Sequence, residues 1–118
     1  MQRLLTFVLS AGPYSGQAAA SVLTLASAAL DTGHRATIFA TADGVHGFVK
    51  DQNVAGVFDV GAAAVAFLSR GGHVHLCGSC LRFRGIAEEN LLPGAQLGSL
   101  SRLMTLLGES HAVLTFGR

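Results

Sequence analysis

The sequence has little charge, no tryptophan and only two cysteines. Charged residues make up 13% of its 118 residues, against an average of about 25%. The net charge is +1, and the seven arginines and one lysine form no basic stripe, so the chain lacks the electrostatic footprint of a nucleic-acid-binding protein. A surface so poor in charge predicts that another subunit covers part of it. We therefore expect a homo-oligomer or an assembly with related subunits.

The N-terminal stretch lacks the order of a signal peptide, and no apolar run is long and unbroken enough to span a membrane. We therefore expect one domain, residues 1–118, located in the cytoplasm and without a membrane partner. In a reducing compartment, a Cys-x-x-Cys pair is more often catalytic, redox-active or metal-binding than a structural disulfide.

Strand-like and helix-like segments alternate along the chain. The predicted strands are Gln2–Leu9, Ala36–Ala40, His73–Leu76 and Ala112–Phe116, and the predicted helices are Gly16–Leu30, Val60–Ser69, Ser79–Arg84 and Ser99–Leu107. Residues 50–59 and 88–98 are predicted loops. This alternation is typical of an α/β fold in which a mostly parallel sheet is covered on both faces.

Two helices carry further predictions. The first has a small, uncharged polar face, which indicates that the sheet and a neighbouring subunit cover its two sides, and Gly33 is its predicted C-terminal cap. In the last helix, the spacing predicts that Leu100, Leu103, Met104 and Leu107 share one face.

Three turns follow predicted strands and are expected to meet at one edge of the sheet, where ligands bind in parallel α/β folds. They are residues 12–16, Asp43-Gly44 and residues 77–80. The first has no nucleotide-binding spacing, so it is either a tight turn with Ser15 as helix N-cap or a set of N–H groups that hold a thiolate or persulfide. Asp43 is either a helix cap or turn residue, or a polar member of the site.

Cys77 precedes a predicted helix N-terminus, where unpaired N–H groups lower the pKa of a thiol, and Arg82 and Arg84 add positive charge nearby. This placement suits a nucleophilic thiolate, although a free cysteine also serves as a small buried hydrophobe. Cys80 is able either to pair with Cys77 as in redox motifs or to pack inside the fold.

A metal site is the least favoured reading of this region. His73, His75 and Cys77 alternate along one strand and share a face, and Cys80 follows one turn later. The pair has no second Cys-x-x-Cys to complete a ligand set, and a helix is expected to cover the strand. We expect no metal and no cofactor.

The order of Gly12-Pro13-Tyr14-Ser15-Gly16-Gln17, an Ala-rich helix, Asp43-Gly44-Val45, Val74-His75-Leu76-Cys77 and Leu81-Arg82-Phe83-Arg84-Gly85 resembles the DsrE/DsrF/TusD family of small sulfur-relay proteins. The closing Ala112–Gly117 is similar to the family's last strand. The resemblance covers essentially the whole chain. It implies a three-layer α/β/α sandwich with a mostly parallel sheet of about five strands, assembled into trimers or hexamers.

The resemblance also implies a function. Several members accept sulfur as a persulfide on one cysteine and pass it to another carrier, so a persulfide donor and a TusA-like sulfur carrier protein are the implied partners. The functional cysteine lies eight residues before the Arg-Gly glycine, as Cys77 lies before Gly85, and Cys80 matches the second cysteine of the Cys-Gly-x-Cys branch. The predicted catalytic residues are Cys77 and Cys80, and the predicted pocket residues are Tyr14, Ser15, Asp43, Gly44, Gly78, Ser79, Arg82 and Arg84. Sulfur transfer, a dithiol switch and a non-catalytic assembly role all stay open.

Overall fold

The computed structural model describes residues 1–14, 16–52, 54 and 58–117. The strands in these residues are β1 (Leu4–Leu9), β2 (Arg35–Ala40), β3 (His73–Cys77), β4 (Gln96–Gly98) and β5 (Ala112–Phe116). The helices are α1 (Ala18–Asp31), α2 (Val60–Ser69), α3 (Gly78–Phe83) and α4 (Leu100–Glu109), with 3₁₀ segments at Ala42–Phe48 and Glu88–Asn90.

The five strands form one sheet in the order β4-β3-β2-β1-β5, and all four pairings between them are parallel. The strands from β1 to β4 are added in one direction across the sheet. The chain then returns through α4 to place β5 on the free edge of β1. Because all strands run the same way, their carboxyl ends lie at one rim.

Alternate side chains of β1 and β2 enter two separate cores. The larger core joins Phe7 and Leu9 of β1 to helix residues such as Val22 and Phe67. Opposite it, Leu4, Phe39 and Leu106 form a smaller core against α4. The sheet is therefore covered on both faces, which confirms the predicted three-layer α/β/α sandwich.

The predicted loop at residues 88–98 is wrong in part, because it contains the 3₁₀ segment Glu88–Asn90 and strand β4. Strand β4 is only three residues long and ends in Gly98, so its sequence carries no strand periodicity. It forms because Gln96–Gly98 pair with residues 75–77 of β3. Of the predicted loop at residues 50–59, Asn53 and residues 55–57 lie outside the described part of the chain.

Helix α1 begins two residues later than predicted, with Gln17 as N-cap, and no side-chain hydrogen bond caps it within the described part of the chain. The predicted N-cap, Ser15, lies outside the described residues. The C-terminal prediction is confirmed: Gly33 has a φ of +86°, and the His34 N–H bonds the Ala29 carbonyl, as at a glycine-terminated helix.

The apolar face predicted for α4 is not the side of the helix that the structure buries most deeply. Leu106 is the buried residue of this helix, whereas Leu100 and Met104 are 75% and 66% exposed. Leucines and methionine occupy more than one side of α4, so helical spacing alone did not decide which side faces the sheet. The contact of Leu106 with Leu4 and Phe39 fixes the orientation and leaves an apolar side uncovered.

None of the helices in the described ranges is long and apolar enough to cross a membrane.

Candidate functional site

The turns after β1 and β2 lie against each other at the carboxyl rim. The Thr41 N–H donates to the Leu9 carbonyl across 2.9 Å. A Cβ placed on Gly44 would lie 2.3 Å from that same carbonyl oxygen, so this position accepts only glycine without a shift of the backbone. A Cβ on Gly12 would lie 3.3 Å from the Asp43 carbonyl oxygen. The first two predicted turns therefore meet, as expected.

Cys77 ends β3 and is the N-cap residue of α3. Its sulfur accepts a hydrogen bond from the Cys80 N–H across 3.4 Å. The side chain is half-buried and packs against the smaller core, on the α4 side of the sheet. It also lines an open cavity of about 390 Å³, whose other lining residues are Gly78, Ser79, Arg82, Gly98, Ser99, Leu100 and Ser101. Cys77 is therefore a thiol with a space beside it.

Cys80 lies on the other side, packed against the larger core. Its sulfur accepts a hydrogen bond from the Ala42 N–H at 3.1 Å and lies 3.4 Å from the Thr41 hydroxyl oxygen. These contacts join the third turn to the second. The three turns that the sequence placed at one rim are thus brought together.

The environment of Cys80 favours its thiolate. Burial raises the pKa of the Cys80 thiol, but hydrogen bonds from Cys77, Thr41 and the Ala42 N–H, with the charge of Arg84, outweigh burial and leave the pKa below its ordinary value. The helix dipole predicts a stabilised thiolate at Cys77. The dipole of α3 is weak, however, because the helix has only six residues.

The two arginines differ in what they contact. Arg84 donates from Nε to a carboxylate oxygen of Asp43 at 2.9 Å and from a terminal nitrogen to the Cys80 carbonyl at 3.2 Å. Asp43 therefore holds Arg84 in place beside the thiol. Arg82 donates to the Ser79 hydroxyl at 3.2 Å and borders the Cys77 cavity. Arg84 thus lies beside Cys80, and Arg82 lies at the border of the Cys77 cavity.

The structure does not bring every predicted pocket residue to the thiols. Tyr14 is 73% exposed, and its ring centroid lies 6.1 Å from that of His46. Ser15 lies outside the described residues. Asp43, Gly78, Ser79, Arg82 and Arg84 lie around the two cysteines, and Gly44 supports the turn beneath them.

Sequence reasoning missed Thr41 and Ala42, which contact Cys80 directly, and residues 98–101, which line the Cys77 cavity. Thr41 stands at the end of the predicted strand, where a hydroxyl is a recognisable signal. No signal marked Ala42, because it contributes a backbone N–H. Its φ of +51° lies in the left-handed region, which sequence does not reveal at an alanine. Residues 98–101 were hidden by the missed strand β4.

The histidines of β3 do not join the thiols in a ligand set. His75 is 7% exposed, and its Nδ1 is buried and has no hydrogen-bond partner among the residues that the structure describes. Burial, then the charges of Arg102 and His73, lower its pKa. Cys80 packs toward the opposite core. In the described part of the chain, no three His, Cys, Asp or Glu side chains are grouped closely enough to hold a metal ion.

Comparison with known proteins identifies the family of the chain. The model of the DsrE/DsrF-like family matches residues 3–116. The chain belongs to the DsrE/DsrF-like family. Its relatives include the uncharacterized protein MJ0989 of Methanocaldococcus jannaschii, 33% identical over 111 residues that cover 94% of this chain and 97% of that protein. The uncharacterized protein MK0008 of Methanopyrus kandleri is 32% identical over 113 residues, which cover 96% of this chain and 93% of that protein.

Solved structures show the same fold. The ychN protein from E. coli superposes with a TM-score of 0.90 at 24% identity, covering 98% of this chain and all 100% of that one. The protein MTH1491 from Methanobacterium thermoautotrophicum superposes with a TM-score of 0.70 at 17% identity, covering 98% and 99% of the two chains. The DsrE-like chain therefore has a fold of sulfur-relay type.

Proposed function

We propose that the protein is a sulfur carrier in which Cys77 accepts a sulfur atom from a persulfide donor and delivers it to an acceptor thiol. The observation that supports this proposal most directly is the position of Cys77, half-buried at the end of β3 and lining a cavity of about 390 Å³. The cavity gives a donor group access to the sulfur. Arg82 at its border supplies positive charge for an anionic persulfide.

The proposed reaction is a sulfur transfer that needs no outside oxidant. The Cys77 thiolate attacks the outer sulfur of a donor R–S–SH, so that the new bond forms as the R–S⁻ thiolate leaves. The product is Cys77–S–SH. An acceptor thiolate then attacks that outer sulfur and releases Cys77 as a thiolate again. The hydrogen bond from the Cys80 N–H at 3.4 Å holds the Cys77 sulfur in position for both steps.

Mass spectrometry tests this function. The reduced protein is incubated with glutathione persulfide without oxygen, desalted and weighed intact beside its Cys77→Ser and Cys80→Ser variants. We expect Cys80→Ser to gain the mass of one sulfur atom and Cys77→Ser to gain none at residue 80. An equal gain in Cys77→Ser, or a glutathione adduct on Cys80→Ser in place of the sulfur atom, would contradict the proposal.

A second candidate is a dithiol–disulfide pair that operates without persulfide. The observation that favours it is the position of the two cysteines at the N-cap and third residue of α3, with Cys80 also held by Thr41 and Ala42. Equilibration of the reduced protein with glutathione buffers, followed by alkylation, distinguishes it. A measured reduction potential, with no sulfur uptake by Cys80→Ser, would support this candidate over sulfur transfer. An assembly role alone is not favoured, because Cys77 lines an open cavity.

We further propose that the protein acts in the cytoplasm as a homo-oligomer, a trimer or hexamer, or with related subunits, and that its sulfur acceptor resembles the TusA-like carriers. Two apolar surfaces support assembly. Leu25 and Phe58 border a groove of about 470 Å³ on the outer face of α1, which has no charged residue before Asp31. Leu100 and Met104 stand on the uncovered side of α4. Exposed apolar area of this kind marks interaction surfaces.

A further inference from the structure

The two cysteines have different surroundings although only two residues separate them. Cys77 faces the cavity and the α4 side of the sheet, whereas Cys80 faces the turn after β2 on the opposite side. One thiol is thus open to an incoming donor, and the other is held in place by backbone and side-chain groups. This difference in surroundings suggests that Cys80 has a role in the reaction that differs from the role of Cys77.

The contacts at Cys80 are those of a site that holds an anionic sulfur. The Ala42 N–H and the Thr41 hydroxyl both reach its Sγ, at 3.1 and 3.4 Å. Arg84 is fixed beside it by Asp43. Ala42 reaches its position with a φ of +51°, a conformation that costs an alanine about 1–2 kcal/mol. Strain of this kind persists where the surrounding structure imposes it, and it is typical of functional sites.

Although their side chains face different sides, Cys77 and Cys80 lie within the same turn at the start of α3. Cys77 is the N-cap of α3 and Cys80 is its third residue, and the Cys80 N–H already bonds the Cys77 sulfur at 3.4 Å. The side chain at this third position points back toward the N-cap in capping interactions. Helix positions three apart have Cβ atoms about 5–6 Å apart, and a disulfide requires about 3.5–4.5 Å, so the first turn must tighten by roughly 1–2 Å when the bond forms.

We propose that Cys80 resolves the persulfide held on Cys77, so that the protein releases its sulfur as hydrosulfide and is left with a Cys77–Cys80 disulfide. This proposal rests on the proposed function, because it begins from Cys77–S–SH. The Cys80 thiolate attacks the inner sulfur, Sγ of Cys77. The bond from that sulfur to the outer sulfur breaks, and HS⁻ leaves with the electron pair and its proton.

The electrons balance within this step. The outer sulfur is reduced to the oxidation state of sulfide, the Cys80 sulfur is oxidised from thiolate to disulfide, and the Cys77 sulfur keeps the oxidation state that it had in the persulfide. A dithiol reductant, of the class that acts by thiol–disulfide exchange, then restores the two thiols and closes the cycle. The attack by Cys80 is intramolecular and so competes effectively with a free acceptor thiol. The protein is thereby a persulfide reductase in addition to a carrier.

The test measures hydrosulfide and protein mass together. Wild-type protein and its Cys80→Ser variant are reduced, desalted, incubated with glutathione persulfide in sealed anaerobic vessels and freed of donor. We expect wild type to release about one hydrosulfide per chain and to lose two hydrogen atoms in mass. We expect Cys80→Ser to keep the added sulfur and to release hydrosulfide about two orders of magnitude more slowly. A Gly108→Ala variant, at an exposed position of α4 where an added Cβ would meet no other side chain of the described residues within 4 Å, is expected to match wild type.

The outcomes distinguish failure of the proposed attack by Cys80 from failure of sulfur transfer by Cys77. If wild type and Cys80→Ser both hold the added sulfur equally well and neither releases hydrosulfide, the inference is overturned and sulfur transfer by Cys77 stands. If Cys80→Ser gains no sulfur atom, sulfur transfer itself fails. Addition of a dithiol reductant to the oxidised wild type must restore two alkylatable thiols and a second round of release. A single round that the reductant does not renew would overturn the catalytic cycle.

Discussion

The backbone N–H of Ala42 donates a hydrogen bond to the sulfur of Cys80 at 3.1 Å, from a residue whose φ is +51°. A turn in the left-handed region thus directs its donor at a thiol. The bond comes from the main chain, so any residue that tolerates this conformation preserves it. The free-energy cost of the positive φ at Ala42 can therefore be removed without losing the hydrogen bond to the Cys80 sulfur.

Replacing Ala42 with glycine tests this expectation. Glycine adopts a positive φ without steric cost, so we expect Ala42→Gly to raise the free energy of unfolding by about 0.5–1 kcal/mol, after allowing for the greater freedom of glycine in the unfolded chain. The reactivity of Cys80 should stay as in wild type. Urea unfolding and thiol alkylation measure the two effects. The matched control is Gly33→Ala, at a φ of +86° with open space around it, which we expect to lose about 1 kcal/mol. Loss of stability in Ala42→Gly would contradict the interpretation of the turn.

The hydroxyl of Thr41 supplies the second contact to Cys80. In a Cys77→Ser background, where Cys80 is the one remaining cysteine, we expect Thr41→Val to slow alkylation by iodoacetamide about threefold to tenfold near pH 7. The thiolate is the reacting species, and removal of the hydroxyl raises the pKa of Cys80 toward its ordinary value. The two rates should converge as the pH rises well above the ordinary pKa of a thiol, where both thiols are ionised. Thr105→Val, on the exposed surface of α4, is the control. A constant rate ratio across the whole pH range would refute the electrostatic explanation.

The burial of His75 predicts that the free energy of unfolding decreases at acidic pH. Burial, and then the charges of Arg102 and His73, lower the pKa of His75 in the folded protein below 6.5. Above pH 6.5 the imidazole is neutral in both states and contributes nothing. As the pH falls below that value, the unfolded chain binds the proton first, so the free energy of unfolding decreases by at most about 1.4 kcal/mol per pH unit until the folded pKa is passed.

The variant His75→Leu should remove this decrease. Urea unfolding of wild type and variant between pH 7 and pH 4 measures it, and the difference between their slopes belongs to His75. His111→Leu, at an exposed position outside β3, controls for a general loss of histidine charge. Parallel stability curves for wild type and His75→Leu would show that the imidazole does not titrate differently in the two states.

The proposed assembly predicts that the protein has the mass of an oligomer in solution. We expect light scattering coupled to size-exclusion chromatography to give a mass of three or six chains at micromolar concentration. Leu25→Glu places a charge in the groove on α1, and we expect it to reduce the mass if that groove is the interface. Met104→Glu tests the exposed side of α4, and Gln2→Glu on the exposed N-terminal segment is the control. A wild-type monomer would refute the assembly proposal, whereas retention of the oligomer in both variants would refute these two interfaces.

The sheet and its layers were predictable because long buried strands and Ala-rich helices carry periodic signals over many residues. The bounds of α2 match the prediction, and the meeting of three turns at one rim follows from parallel strands alone. Three things were out of reach. Strand β4 takes its structure from pairing with β3, the orientation of α4 depends on contact with Leu4 and Phe39, and the donor at Ala42 is a backbone group. Each is fixed by a partner distant in sequence, which local spacing does not encode.

The parallel direction of all five strands has a practical consequence for measurement. The strands begin at one rim, near Arg35 and His73, and the thiols stand at the other. A strand of six residues is roughly 20 Å long, so a fluorophore or surface tether attached in place of Arg35, which is exposed, would stand about that distance from both sulfurs. The protein can thus be immobilised or made fluorescent with its reactive end left free, and changes at the thiols can be followed from the opposite end of the molecule.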